Sequence, residues 1–153
     1  DTVDYKDATN ISLNYIDGII IHEKGPSDRR LVVSGMVKVT STNLPVSEAL
    51  TYLGTAYPVG STLDNSGLAD RVTGSANAAP SEADIVYLPN PDTGIYDQYF
   101  YSTLPAPFNG WLDARTFASG ADVELTSGMI IERRGSQNIF NAPVTPPAFY
   151  SDL

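Results

Sequence analysis

Apolar and polar residues alternate with a period of two along most of the chain. Ile11, Leu13 and Tyr15 alternate with Ser12 and Asn14, which predicts a half-buried strand. Gly18 to Glu23 follows as a nearly all-apolar strand. Gly25-Pro26-Ser27-Asp28 then turns the chain, since Gly admits φ > 0 and Pro presets φ. Arg30 to Thr40 predicts a third strand with Leu31, Val33, Val37 and Val39 inward. Ser47-Glu48-Ala49-Leu50 suits either a short helix or the approach to a strand. Tyr57 to Gly60 is a loop, Leu63 to Leu68 a turn, and Gly67 to Val72 a single helical turn. Thr73 to Glu82 is small and polar, the expected place for a mobile loop.

Ile85 to Leu88 predicts a buried strand closed by Pro89-Asn90-Pro91-Asp92-Thr93-Gly94. Ile95 to Thr103 resumes as its hairpin partner. Pro105, Pro107 and Asn109-Gly110 break the chain before Trp111. Val123-Glu124-Leu125 alternates, Gly128 to Arg134 runs from apolar to basic, and Gly135 to Asn138 turns. Asn141 to Leu153 carries three prolines and is expected to be extended. No window has a period of 3.6. The expected fold is all-β: an antiparallel immunoglobulin-like β-sandwich or partly open barrel of about eight to ten strands. Residues 1–15 read as an N-terminal arm, and 16–153 as a single β domain with an extended C-terminal tail.

One pattern occurs twice. Gly18-Ile19-Ile20-Ile21-His22-Glu23-Lys24-Gly25 and Gly128-Met129-Ile130-Ile131-Glu132-Arg133-Arg134-Gly135 lie 110 residues apart, and Leu13 and Tyr15 align with Val123 and Leu125 at the same offset. Two hairpins of one fold sharing a strand-turn solution would produce this pseudo-symmetry. So would a unit that starts and stops partway, leaving a surplus strand at one end and a missing neighbour at the other. An open sheet edge is a template for another chain, and head-to-tail pairing that does not close builds a filament. Val3, Tyr5, Ile11, Leu13 and Tyr15 give the arm the alternation of a donor strand, in which main-chain hydrogen bonds supply affinity and alternate side chains specificity. The same alternation also suits an ordinary first strand. The proline-rich tail is the poorer donor, because Pro has no N–H for a ladder.

Composition narrows the function. The chain has 153 residues, 42% of them hydrophobic and 18% charged, which is a globular composition. Nine tyrosines against five phenylalanines suit a pleated surface. A net charge of −9 argues against binding a phosphate backbone. Without cysteine there is no disulfide framework or thiolate chemistry, which fits a bacterial secreted protein or a cytosolic one. No apolar run reaches the roughly 18 residues of a membrane span. Asp1-Thr2-Val3 opens the chain as a mature, processed N-terminus would.

Chemistry is sparse. His22, the single histidine, has no second imidazole to share a metal and reads as a structural strand residue. Glu124 and Glu132 fall on strands and Glu23 before a turn. They read as solvent-facing groups or as ion-pair partners of Arg133, Arg134 or Lys24 before they read as a glycosidase pair. Asp64-Asn65-Ser66-Gly67 and Asn90 to Gly94 carry oxygen ligands of the kind calcium takes, but turn chemistry accounts for both. Asn10-Ile11-Ser12 matches the N-glycosylation pattern. Tyr99, Tyr101 and Trp111, with Tyr96 nearby, are a candidate glycan-stacking platform, set against ordinary cross-strand packing. No catalytic, cofactor or metal site is expected.

Trp111-Leu-Asp-Ala, Val123 to Gly135, Gly54 to Val59 and Leu63 to Leu68 together resemble uncharacterised secreted β-rich bacterial proteins, over roughly half of the chain. These are glycine-and-apolar patterns, and the resemblance implies no activity. In logic, the arm is similar to the donor strands of bacterial pilins. The expectation is an extracellular or cell-surface, non-enzymatic subunit that forms a head-to-tail, pilus-like homopolymer by donor-strand exchange. The alternative is a cell-surface carbohydrate-binding module; a secreted hydrolase is a third and weaker reading.

Overall fold

The computed structural model describes residues 42–46, 49–54, 57, 59–125, 128–134 and 140–144. They form seven strands: β1 Thr42–Val46, β2 Leu50–Leu53, β3 Ile85–Pro89, β4 Tyr96–Thr103, β5 Asn109–Asp113, β6 Met129–Glu132 and β7 Phe140–Val144. The only helical pieces among them are single 3-10 turns at Leu68–Asp70 and Pro80–Glu82. Five strands make one open sheet in the order β2-β6-β3-β4-β5, and every neighbouring pair is antiparallel. β1 and β7 form a separate two-stranded antiparallel ladder.

Alternation sorts the sheet into two faces. Leu53, Val86, Leu88, Tyr99, Trp111, Met129 and Ile131 share one face and build the main core with Leu63, Leu68 and Leu125 from the connecting segments. Val46, from β1, is buried in the same cluster. The opposite face holds a smaller cluster of Ile85, Phe100 and Leu112 with Ala83. Phe117 meets Phe100 edge-on there, with ring centroids 6.2 Å apart.

The hairpin expected around Pro89 to Gly94 forms as β3 and β4, with Val86 opposite Tyr99 and Pro89 opposite Tyr96. Asn90 organises its turn: Oδ1 accepts from the N–H groups of Asp92 (2.9 Å) and Thr93 (3.2 Å), and Nδ2 donates to Asp97 (2.8 Å). Asn65 likewise ties its own turn, accepting from the Thr62 N–H at 2.8 Å and donating to the Gly60 carbonyl at 3.0 Å. The oxygen-rich turns thus spend their side chains on backbone. Among the described residues no three His, Cys, Asp or Glu side chains gather as a metal site requires.

Of the two options for Ser47 to Leu50, the approach to a strand is the one that fits, since β2 begins at Leu50 after Ala49 with its positive φ of 62°. The structure corrects two other expectations. Asn109 and Gly110 do not break the chain, because β5 already begins at Asn109. The small polar run 73–82 is not a loose loop but is fastened along β4. The Ser75 N–H donates to the Tyr101 carbonyl and the Thr103 N–H to the Ser75 carbonyl, both at 2.9 Å. Ser75 Oγ accepts from the N–H groups of Asn77 (3.1 Å) and Ala79 (2.9 Å). A Cβ on Gly74 would come within 3.0 Å of Thr103 Cγ2 and 3.1 Å of the Tyr101 carbonyl. The run is small because backbone lies against backbone there. Gly120 has a related reason: its Cβ would stand 2.7 Å from the Tyr99 ring.

Candidate functional site

β2 stands at one end of the five-stranded sheet and, among the described residues, pairs only with β6. The opposite end is closed differently. Beyond β5, the Gly120 N–H donates to the Trp111 carbonyl at 2.8 Å and the Asp113 N–H to the Ala118 carbonyl at 2.9 Å, so the chain folds back over that edge.

The β2 register shows which backbone groups it presents. The Arg133 N–H donates to the Ala49 carbonyl at 2.8 Å, next to the Leu50–Glu132 pair. Antiparallel hydrogen-bonded pairs recur at every second residue, so Thr51 and Leu53 turn their backbone groups to β6. Leu50 and Tyr52 turn theirs away. Their side chains are 50% and 51% exposed, on the face opposite the main core. β2 has no Pro and no charge within its four residues, the features that commonly blunt a sheet edge.

Next to this edge lies a polar cluster on the same face. The Tyr87 hydroxyl donates to Glu132 Oε2, and Arg134 grips the same carboxylate through Nε and Nη2, both at 2.9 Å. Hydrogen bonding from Arg134 holds the Glu132 carboxyl below its ordinary value, against a smaller upward push from burial. Burial, followed by the bond to Glu132, raises the Tyr87 hydroxyl. On Asp113 burial pushes upward, but hydrogen bonds from Thr116 and Arg115 outweigh it and the carboxyl is lowered. A carboxylate depressed in the folded state stabilises the fold above its unfolded value of roughly 4, and that contribution is lost as pH falls through the folded value. Urea unfolding should therefore show a midpoint that drops between neutral pH and pH of about 3, with a shallower drop for Glu132→Gln. An identical pH profile for the variant would remove Glu132 from the account.

Deeper in the sheet, Asp84 and Arg133 form a buried pair, with Asp84 Oδ2 2.9 Å from Arg133 Nε. Asp84 also accepts the Thr73 N–H on Oδ2 and the Arg134 N–H on Oδ1, each at 2.8 Å. One carboxylate thus ties together the start of β3, the end of β6 and the run fastened on β4.

The residues singled out by sequence fall into three groups. Val3, Tyr5, Ile11, Leu13, Tyr15 and His22 lie outside the described residues, as does the first copy of the recurring segment. Glu132 is the ion-pair partner of Arg134, and Glu124 is exposed opposite Thr62. Tyr99, Tyr101 and Trp111 do come together, but inside. Trp111 is 1% exposed, Tyr99 8%, and the half-buried Tyr101 meets Trp111 edge-on at 5.6 Å. Trp111 and Tyr99 thus belong to the main core, with Tyr101 packed partly against it. Tyr96, by contrast, is exposed.

Leu50, Tyr52, Asp84 and the burial of Arg133 were not legible in the sequence. An alternation of only four residues at β2 is too short to distinguish an edge strand. Asp84 carries no mark separating it from the other seventeen acids. No helix among the described residues is long and apolar enough to cross a membrane, which says nothing of strands. No family model, curated protein or solved structure matches the chain significantly.

Proposed function

We propose that the chain is a non-enzymatic, extracellular structural subunit that assembles head to tail, the β2 edge of one copy accepting a strand from the N-terminal region of the next. The observation that carries this reading is the β2 edge itself. It offers two half-exposed apolar side chains on one face and outward-turned backbone groups at Leu50 and Tyr52. Strand addition needs both, backbone for affinity and alternate side chains for specificity. The alternation at Val3, Tyr5, Ile11, Leu13 and Tyr15 supplies a chemically matched donor. In this reading the five-stranded sheet is one layer of an immunoglobulin-like sandwich, and the burial of Val46 from β1 in its main core supports a second layer. The carbohydrate-binding alternative loses its support with the burial of Trp111.

Three chains test the proposal by negative-stain electron microscopy and light scattering: the full chain, the chain lacking Asp1 to Tyr15, and Tyr52→Pro. Because the Tyr52 N–H points away from β6, Pro at this position spares the β2–β6 ladder and removes only the outward donor. Filaments are expected from the full chain and from neither variant. Monodisperse particles from all three would overturn the proposal.

A further inference from the structure

We infer that Asn109 is a latent modification site, converted to aspartate and isoaspartate through the Gly110 nitrogen only when the β4–β5 hairpin opens. Asn109-Gly110 is the one Asn-Gly pair in the chain. Gly110 has a φ of +101°, yet a Cβ there would meet nothing within 4 Å. Conformation, not space, therefore calls for glycine at the entry to β5. The same bareness leaves the Gly110 nitrogen unshielded beside the Asn109 side chain. Asn109 is exposed, and its amide has no hydrogen-bond partner among the described residues. Other asparagines are held back. Asn65 and Asn77 donate their amides to the Gly60 carbonyl and to Glu82, and Asn90 precedes Pro91, which has no N–H to react.

The reaction needs only water. The deprotonated Gly110 amide nitrogen attacks the Asn109 side-chain carbonyl carbon, a new C–N bond closes a succinimide, and the side-chain nitrogen leaves as ammonia, carrying the proton. Water then opens the ring at either carbonyl, giving aspartate or isoaspartate. The sheet holds back the first step. Trp111 and Asp113 turn their backbone groups outward, to Gly120 and Ala118, so by alternation Gly110 turns to β4. Ser102 stands opposite it. β4 agrees: the Tyr101 carbonyl and the Thr103 N–H are both spent on Ser75, which leaves Ser102 turned to β5. Gly110 and Ser102 are thus a hydrogen-bonded pair, with the Gly110 N–H on the Ser102 carbonyl. An N–H held in a ladder gives up its proton only when the ladder opens. The fold both requires the reactive pair and keeps it shut.

The test is peptide mapping by mass spectrometry, following the amide-to-acid mass gain at Asn109 in the full chain aged at one mildly alkaline pH and one temperature. One sample stays folded and one is held in urea above its unfolding transition. A synthetic peptide of residues 105–113 in the same urea gives the rate with no fold present. Asn109 should convert at the peptide's rate in urea, and slower by about tenfold or more in the folded chain, where opening populates the reactive state only as a small fraction. Isoaspartate should accompany aspartate, because the succinimide opens at both carbonyls. Aspartate alone would mean direct hydrolysis and overturn the attack by Gly110. Equal rates in the folded and unfolded chain would overturn the gate, and an Asn109 that stays intact in urea would overturn the site. No arm needs a substituted chain or an assembled filament, so the result stands apart from the assembly reading.

Discussion

Replacing Asp84 with Ala should cost about 3–5 kcal/mol, because it leaves the Arg133 guanidinium in a dry site without its carboxylate. Asp84 is fully buried and its partner nearly so. The substitution also strips the acceptor from the part-buried N–H groups of Thr73 and Arg134, which adds to the loss. Native domains hold only about 5–15 kcal/mol in total, so this single change should bring the chain near the edge of folding. Equilibrium urea unfolding gives the number. The double variant Asp84→Leu/Arg133→Met should be less damaged than Asp84→Ala, since it removes both charges together. An Asp84→Ala chain within about 1 kcal/mol of wild type would mean that the pair behaves like an exposed one.

The pair also shows what the sequence conceals. Continuous apolar runs bounded by turn residues, such as Ile85 to Leu88 and Met129 to Ile131, located β3 and β6 closely, and the resumption of the chain after the Pro89 to Gly94 turn located β4. The β3–β4 hairpin was legible for the same reason. A buried charge has no period. Asp84 and Arg133 are 49 residues apart in sequence and meet only because β3 and β6 are neighbours. The edge character of β2 is hidden in the same way: Leu50-Thr51-Tyr52-Leu53 reads alike at a sheet margin and in its centre, and strand order decides which it is. Small polar residues misled in the opposite direction. Gly74 and Ser75 look like a loop by composition, but they are small because they lie directly along β4.

Trp111→Ala should cost about 3–5 kcal/mol of stability, the range for emptying a large aromatic from a packed core. Trp111 sits on the main-core face of β5 and meets Tyr101 edge-on. No partner for its buried Nε1–H is found among the described residues. Trp111→Phe should therefore cost markedly less, because the smaller ring leaves a gap but also removes an N–H for which the described residues offer no partner. The ordering separates core from ligand platform. A stacking tryptophan on a surface would lose sugar affinity on substitution while its urea midpoint stayed put, since exposed positions rarely move stability by more than about 0.5 kcal/mol. A core tryptophan shifts the midpoint first, and any change in binding follows from unfolding. Unfolding curves of Trp111→Ala and Trp111→Phe beside wild type decide it, and coincident curves would return the ring to the surface and reopen the carbohydrate reading.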